Sequence, residues 1–300
     1  MWSQQATLRP VNTAGTPAPV QQGEETMTQD GRLEYLINAL LVDPACAYAI
    51  GGPIDIPPSR DDRRHLLRAL MNVRMPEQAS EEFLAIQDAY LKERLAERGV
   101  TRVSALPFTE DGMAVWRGDI TTLDADAIVN AANSQMLGCF VPNHRCIDNA
   151  IHTYAGIQLR LACKRIMDEQ GHEEPTGAAK LTPGFNLPAV HVLQTVGPIV
   201  PTGIPSAHDR ELLASCYRSC LELGAAHDLR SVAFCCISTG EFRYPNREAA
   251  QVAINTVRAF KSEQPNHSQM KVIFNVFKDK DREIYERLLG ADPAAEAGAG

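Results

Sequence analysis

From Arg32 to Val42 the apolar side chains fall at Leu33, Leu36, Ile37, Leu40 and Leu41, the spacing that lines one face of a helix. The same period predicts helices over 61–75 and 80–98, and Arg98-Gly99 gives the last of them a basic end and a glycine stop. Gly51-Gly52-Pro53 and Pro57-Pro58 punctuate the segment between the first two. These elements predict a small helical extension over residues 31–100.

Beyond about residue 102 the texture changes to short apolar runs alternating with helical stretches. Strands are predicted over 113–117, 127–130, 189–194, 232–237 and 271–277, and helices over 149–169, 208–226, 246–260 and 281–289. That alternation implies a largely parallel sheet with helices on both faces. In such sheets a ligand sits beyond the carboxyl ends of the strands. Polar motifs fall at those ends: Gly118-Asp119, Asn133, and Ser238-Thr239-Gly240. Residues 1–30 and 291–300 lack apolar periodicity and read as disordered arms around the extension and a main domain over 101–290.

Composition narrows the class. A chain of 300 residues, 44% hydrophobic, can bury one main core plus an attachment. The longest apolar runs, such as Ser231 to Ile237, are strand-sized and far below the ~18 residues of a membrane helix, so no membrane partner is expected. The N-terminus lacks a basic flank followed by an apolar block, which argues against a secretory signal. Eight unevenly placed cysteines do not make a disulfide scaffold and fit a reducing cytoplasm. A net charge of −8 argues against a broad nucleic-acid face, yet leaves room for a short diphosphate held by backbone N–H groups.

The candidate chemistry concentrates between Gly138 and Ile151. Cys139, His144 and Cys146 supply two thiolates and one imidazole, a set that can bind zinc and leave a fourth position for water or a ligand oxygen. Pro142 fixes a dihedral where the loop turns back. The spacing matches no standard zinc finger, so chance proximity is the alternative. Asp148 could act as a general base or orient a water, or could serve as N-cap of the following helix. His152, in the first turn or so of that helix, could add a fourth zinc ligand but reads as a packing or hydrogen-bonding residue and is left out of the set. Asp119 could accept an amino group or simply cap a turn, and Asn133 could bond ribose hydroxyls or its own loop. Ser238-Thr239-Gly240 before a helix could cradle a phosphate, with Phe242 and Tyr244 walling the cavity or capping the core. Cys163, Cys216, Cys220, Cys235 and Cys236 read as small buried hydrophobes.

Arg117-Gly118-Asp119-Ile120-Thr121 and Asp126-Ala127-Ile128-Val129-Asn130-Ala131-Ala132-Asn133 resemble the opening of a macrodomain. Ala150-Ile151-His152, Ala155-Gly156, Thr176-Gly177, Thr195-Val196-Gly197-Pro198 and Ile237-Ser238-Thr239-Gly240 with Tyr244-Pro245 continue the likeness over about 112–290. The Cys139–Cys146 insertion and the helical extension are similar to the zinc-containing macrodomains. The resemblance implies a three-layer α/β/α mixed sheet, and Zn2+ on Cys139, His144 and Cys146. It implies adenine at Asp119 and Ile120, the distal ribose at Asn133, and the diphosphate and ribose wrapped by Ser238, Thr239, Gly240, Glu241 and Phe242. Asp148 matches the aspartate of hydrolytic members. Glu241 and Arg243 depart from the apolar residue and glycine usual there.

The activity so implied is zinc-dependent removal of mono-ADP-ribose from a modified protein, with Asn133 and Asp148 as catalytic residues. Some members lie beside a class M sirtuin that modifies a lipoyl-carrier protein, which makes those two expected partners. The other readings are a reader that binds ADP-ribose without turnover and a deacetylase of O-acetyl-ADP-ribose.

Overall fold

The computed structural model describes residues 27–290, so the predicted arms lie outside the described residues except for 27–30. Helix α1 (Gln29–Leu41) begins slightly ahead of the expected boundary, because the Thr28 side chain accepts from the Gly31 N–H and caps it. Helices α2 (Arg60–Val73) and α3 (Glu81–Arg98) are capped by Ser59 and Ser80. The three pack around Leu33, Leu36, Ile37, Leu40, Leu67, Leu70 and Phe83. This core is distinct from that of the main domain and reaches it through Ile157.

The main domain carries strands β1 (Met113–Arg117), β2 (Ala127–Ala132), β3 (Ala179–Pro183), β4 (His191–Val196), β5 (Ser231–Phe234) and β6 (Lys271–Val276). They form one sheet in the order β1-β6-β5-β2-β4-β3, parallel throughout except for β3 against β4. Helices α6 (Ala207–Ala226), α7 (Asn246–Glu263) and α8 (Asp279–Gly290) pack on one another against the sheet, while α4 (Ile147–Ala155) and α5 (Ile157–Gln170) form the other helical layer. Ile128, Val129, Phe234, Val272 and Phe274, all buried, fill the middle. This is the three-layer mixed sheet that the resemblance implies. No described helix is long and apolar enough to cross a membrane.

Three features differ from the periodicity reading. The helix expected over 149–169 is two helices, broken where Gly156 takes φ +95°. A side chain there would collide with Gln87, whose Oε1 accepts from the Ile157 N–H and so caps α5 from the extension. Strand β3 escapes the pattern because it is a half-buried edge strand of mixed Lys, Thr and Pro character. Strand β5 is shorter than expected: Cys235 and Cys236 lie past its end, the first buried and the second half-buried. Burial pushes the Cys235 thiol up to about 12 and raises that of Cys236 as well, so both remain protonated fillers.

Candidate active site

Because β1, β6, β5, β2 and β4 run in one direction, the segments that follow them emerge at one edge of the sheet. Asp119 follows β1, Asn133 follows β2, and Ser238 to Phe242 follow β5. The Cys139–Cys146 loop joins β2 to α4 at the same edge.

That loop folds for local reasons. Val141-Pro142-Asn143-His144 closes with His144 N–H donating to Val141 O at 3.2 Å, while Asn143 takes φ +55°. Proline second and asparagine in the left-handed region third are the residues a type II turn requires. The turn carries His144 back, so that its Nδ1 lies 3.6 Å from Cys139 Sγ. With Cys146 the three ligand atoms lie within 4.8 Å of one another, all half-buried. A tetrahedral zinc with its usual bond lengths separates a sulfur and a nitrogen ligand by about 3.5 Å, so this donor set fits the ion. Burial pushes the Cys146 thiol up to about 12, and a divalent cation is what would favour its thiolate. The outer nitrogen of His144 stands 3.8 Å from Oε1 of the exposed Glu241, a weak contact between the two loops.

Cys146 has a second role: its side chain accepts from the Asn149 N–H at 3.4 Å and caps α4, which begins at Ile147. The N-cap role considered for Asp148 is therefore corrected. Asp148 lies inside the first turn, 5% exposed, with Oδ1 accepting from Asn130 Nδ2 at 2.7 Å. Asn130 Nδ2 also donates to Gln194 Oε1 at 2.8 Å, which fixes the amide. Burial raises the Asp148 carboxyl to about 6, against lowering contributions from Asn130 and Arg160. His152 Nε2 stands 3.5 Å from the same oxygen. Burial, with Arg160 adding to it, lowers that imidazole to about 3 and keeps it neutral. His152 is not among the three clustered ligands.

Asn133 uses half its bonding capacity on its own loop, accepting from Gln135 N–H and donating to Gly138 O. One N–H and one lone pair remain. Asp119 caps a short 3-10 turn over Ile120–Thr122 through Thr121 and pairs with Arg98 Nη1 of α3 at 2.9 Å. In the Ser238–Phe242 segment the left-handed residue is Ser238 (φ +64°), followed by Arg243 (φ +58°), and not Gly240. Gly240 instead leaves open space where a side chain would project. Among the described residues the N–H groups of Ser238, Gly240, Glu241 and Phe242 donate to nothing, an arrangement suited to an anion. The Ser238 and Tyr244 hydroxyls are likewise buried without partners.

Periodicity and motif reading gave no site role to Asn130, Asn149, Arg68, Asn72, Arg98 or Arg160. The only sequence signal was polar residues on the inner face of an amphipathic helix, as Asn72 is on α2.

The fold is that of an α/β protein whose loops gather polar groups and a thiol and imidazole cluster at the carboxyl edge of its sheet. The Macro domain family model matches residues 129–253. The chain is 52% identical over 267 residues to the Treponema medium protein named protein-ADP-ribose hydrolase, covering 88% of this chain and 100% of that one. It is 47% identical over 270 residues to a Staphylococcus aureus protein of the same name, covering 90% and 99%. The Trypanosoma brucei macrodomain solved in complex with ADP-ribose superposes with a TM-score of 0.58 at 30% identity, covering 78% of this chain and 97% of that one. The chain belongs to the macrodomain family.

Proposed function

We propose that this chain is an enzyme that removes mono-ADP-ribose from modified protein side chains, with zinc on Cys139, His144 and Cys146. The observation that carries the reading is Asp148, a buried carboxylate fixed by Asn130 and two residues along the chain from Cys146 of the donor cluster. A reader has no use for a base so poised, and the relatives' shared name supports turnover over binding alone.

The adenine lies at Asp119 and the free N–H of Ile120, and the diphosphate on the unpaired N–H groups between Ser238 and Phe242. Asn133 holds the distal ribose with its remaining donor and acceptor. When bound, zinc supplies Lewis acidity to a ribose or water oxygen at the cleft. Asp148 takes a proton from the attacking water, whose oxygen bonds to the anomeric carbon as the bond to the protein side chain breaks. For an ester to Asp or Glu, the leaving group departs as a carboxylate and needs no acid. Among modified proteins, the resemblance favours a lipoyl-carrier protein modified by a class M sirtuin, which makes that conjugate the first substrate to try.

The test is release of ADP-ribose from a mono-ADP-ribosylated protein by wild type and by Cys146→Ala, His144→Ala and Asp148→Ala. Losses of about 10²-fold or more are expected for each. Undiminished release by all three would remove the catalytic assignment, and binding of free ADP-ribose by calorimetry without any turnover by wild type would make the chain a reader.

A further inference from the structure

The ligand loop is gripped by a helix from outside the macrodomain. Arg68, on α2 of the extension, donates through Nε and Nη2 to Asn149 Oδ1 at 3.1 and 2.7 Å, and through Nη2 to His144 O at 3.1 Å. Asn149 is wholly buried and passes that hold onward. Its Nδ2 donates to Val141 O at 3.0 Å and Cys139 O at 3.5 Å, and its N–H to Cys146 Sγ. Arg68 thus reaches all three ligand residues, His144 directly and the two cysteines through Asn149.

One helical turn further along α2, buried Asn72 accepts from the Asn143 N–H at 3.0 Å. This fixes the left-handed corner of the turn that returns His144. Asn72 is itself held by Thr153 Oγ1 at 3.0 Å. On the other side, Arg160 donates to Leu137 O at 2.7 Å just before the loop, and to Met71 O and Asn72 O at the end of α2. Its guanidinium lies over the Phe140 ring at 4.2 Å.

We propose that α2 is the positioning element of the ligand cluster, with Arg68 and Asn72 holding the Cys139–Cys146 loop so that its three donor atoms are already assembled when zinc arrives. The inference rests on the zinc reading above. It assigns the extension a role in metal affinity: a loop held in advance loses little conformational freedom on binding, whereas a released loop must lose it then. A guanidinium is needed at 68 because Nε and Nη2 close together on the Asn149 amide while Nη2 also serves the His144 carbonyl, a rigid two-nitrogen grip that a single flexible ammonium does not reproduce.

The experiment uses the full chain, stripped of metal and titrated with zinc against a chromophoric chelator. Cobalt is titrated in parallel to read the thiolate-to-metal absorption. Arg68→Ala and Asn72→Ala are expected to lose about 10- to 100-fold in zinc affinity and to broaden or shift the cobalt band. Arg68→Lys keeps the charge and most of the volume, and is expected to rescue thermal stability of the metal-free protein without rescuing affinity. Arg64→Ala, which removes a guanidinium paired to Glu97 of α3 and not to the loop, is expected to leave both readouts unchanged. Wild-type zinc affinity and cobalt spectrum in Arg68→Ala, Arg68→Lys and Asn72→Ala would overturn the inference alone. A wild-type chain that binds neither metal would overturn the zinc reading and this inference with it.

Discussion

The two loops that approach each other at the carboxyl edge of the sheet are held by different means. Between Ser238 and Arg243 the chain largely supports itself. Tyr244 N–H donates to Ser238 O and Arg243 N–H to Gly240 O, and the neighbouring segment adds Val200 N–H to Phe242 O. Between Cys139 and Cys146 the internal support is the bond from His144 N–H to Val141 O, and the rest comes from side chains on α2, α4 and α5. A diphosphate asks only for N–H groups, which any backbone supplies. A metal cluster asks for side-chain donors placed to within about 0.5 Å, and a surface loop achieves that only when rigid elements hold it.

The sharpest break in that contrast is expected at Asp148, at the foot of the braced loop. Asp148→Asn should lower turnover by about 10²- to 10⁴-fold. The same change should stabilise the metal-free protein at neutral and higher pH. The folded value near 6 lies above the ordinary 3.8, so the fold favours the protonated acid. That contribution is complete below about pH 3.8 and is lost as the pH rises through about 6. The groups facing Asp148 are Asn130, neutral His152 and charged Arg160. Urea unfolding of chelator-treated protein at about pH 8 should therefore favour the amide by on the order of 3 kcal/mol, and at about pH 4 by nearly nothing. Equal midpoints at both values would contradict the burial argument.

Next in size is Gly156→Ala. A Cβ there would stand 2.6 Å from Gln87 Nε2 in a backbone conformation with φ +95°, at the seam where the extension caps α5. A loss of about 2–4 kcal/mol in unfolding free energy is expected.

Ser238→Gly probes the self-supporting loop. Relief of the left-handed serine should add about 1 kcal/mol to stability, with zinc affinity unchanged because the loop stands on its own backbone. A fall in zinc affinity would show that the two loops are not independent.

The smallest effect is expected for Arg98→Ala, which removes the extension's hold on Asp119 at the end of β1. KM for the modified protein should rise about three- to tenfold with kcat nearly unchanged, because a half-exposed pair remote from the reacting atoms affects binding alone. A matching drop in kcat would place Arg98 closer to the chemistry than its position at the end of α3 allows.

Much of this molecule was legible along the chain because the signals are local. Helical spacing at Leu33, Leu36, Ile37 and Leu40 marked α1, Ser80 and Gly99 bounded α3, and the apolar runs of β1, β2 and β6 stood nearly at their observed limits. The proximity of Cys139, His144 and Cys146 was legible too, since they fall within one short loop whose proline and asparagine dictate a turn. The break at Gly156 was hidden by continuous helical periodicity on both sides, and β3 by the mixed composition of an edge strand.

The order of residues by itself determined where most of the elements lie and which side chains crowd one short loop, since capping, turn geometry and amphipathic spacing act over a few positions. Only the tertiary structure decided that Asp148 is buried and raised in pKa, that Cys146 and not Asp148 caps α4, and that Arg68 and Asn72 reach the loop. The cause is separation: Arg68 and Asn149 are 81 positions apart. No local pattern specifies which polar residue on the inner face of one helix will meet the backbone of a distant turn.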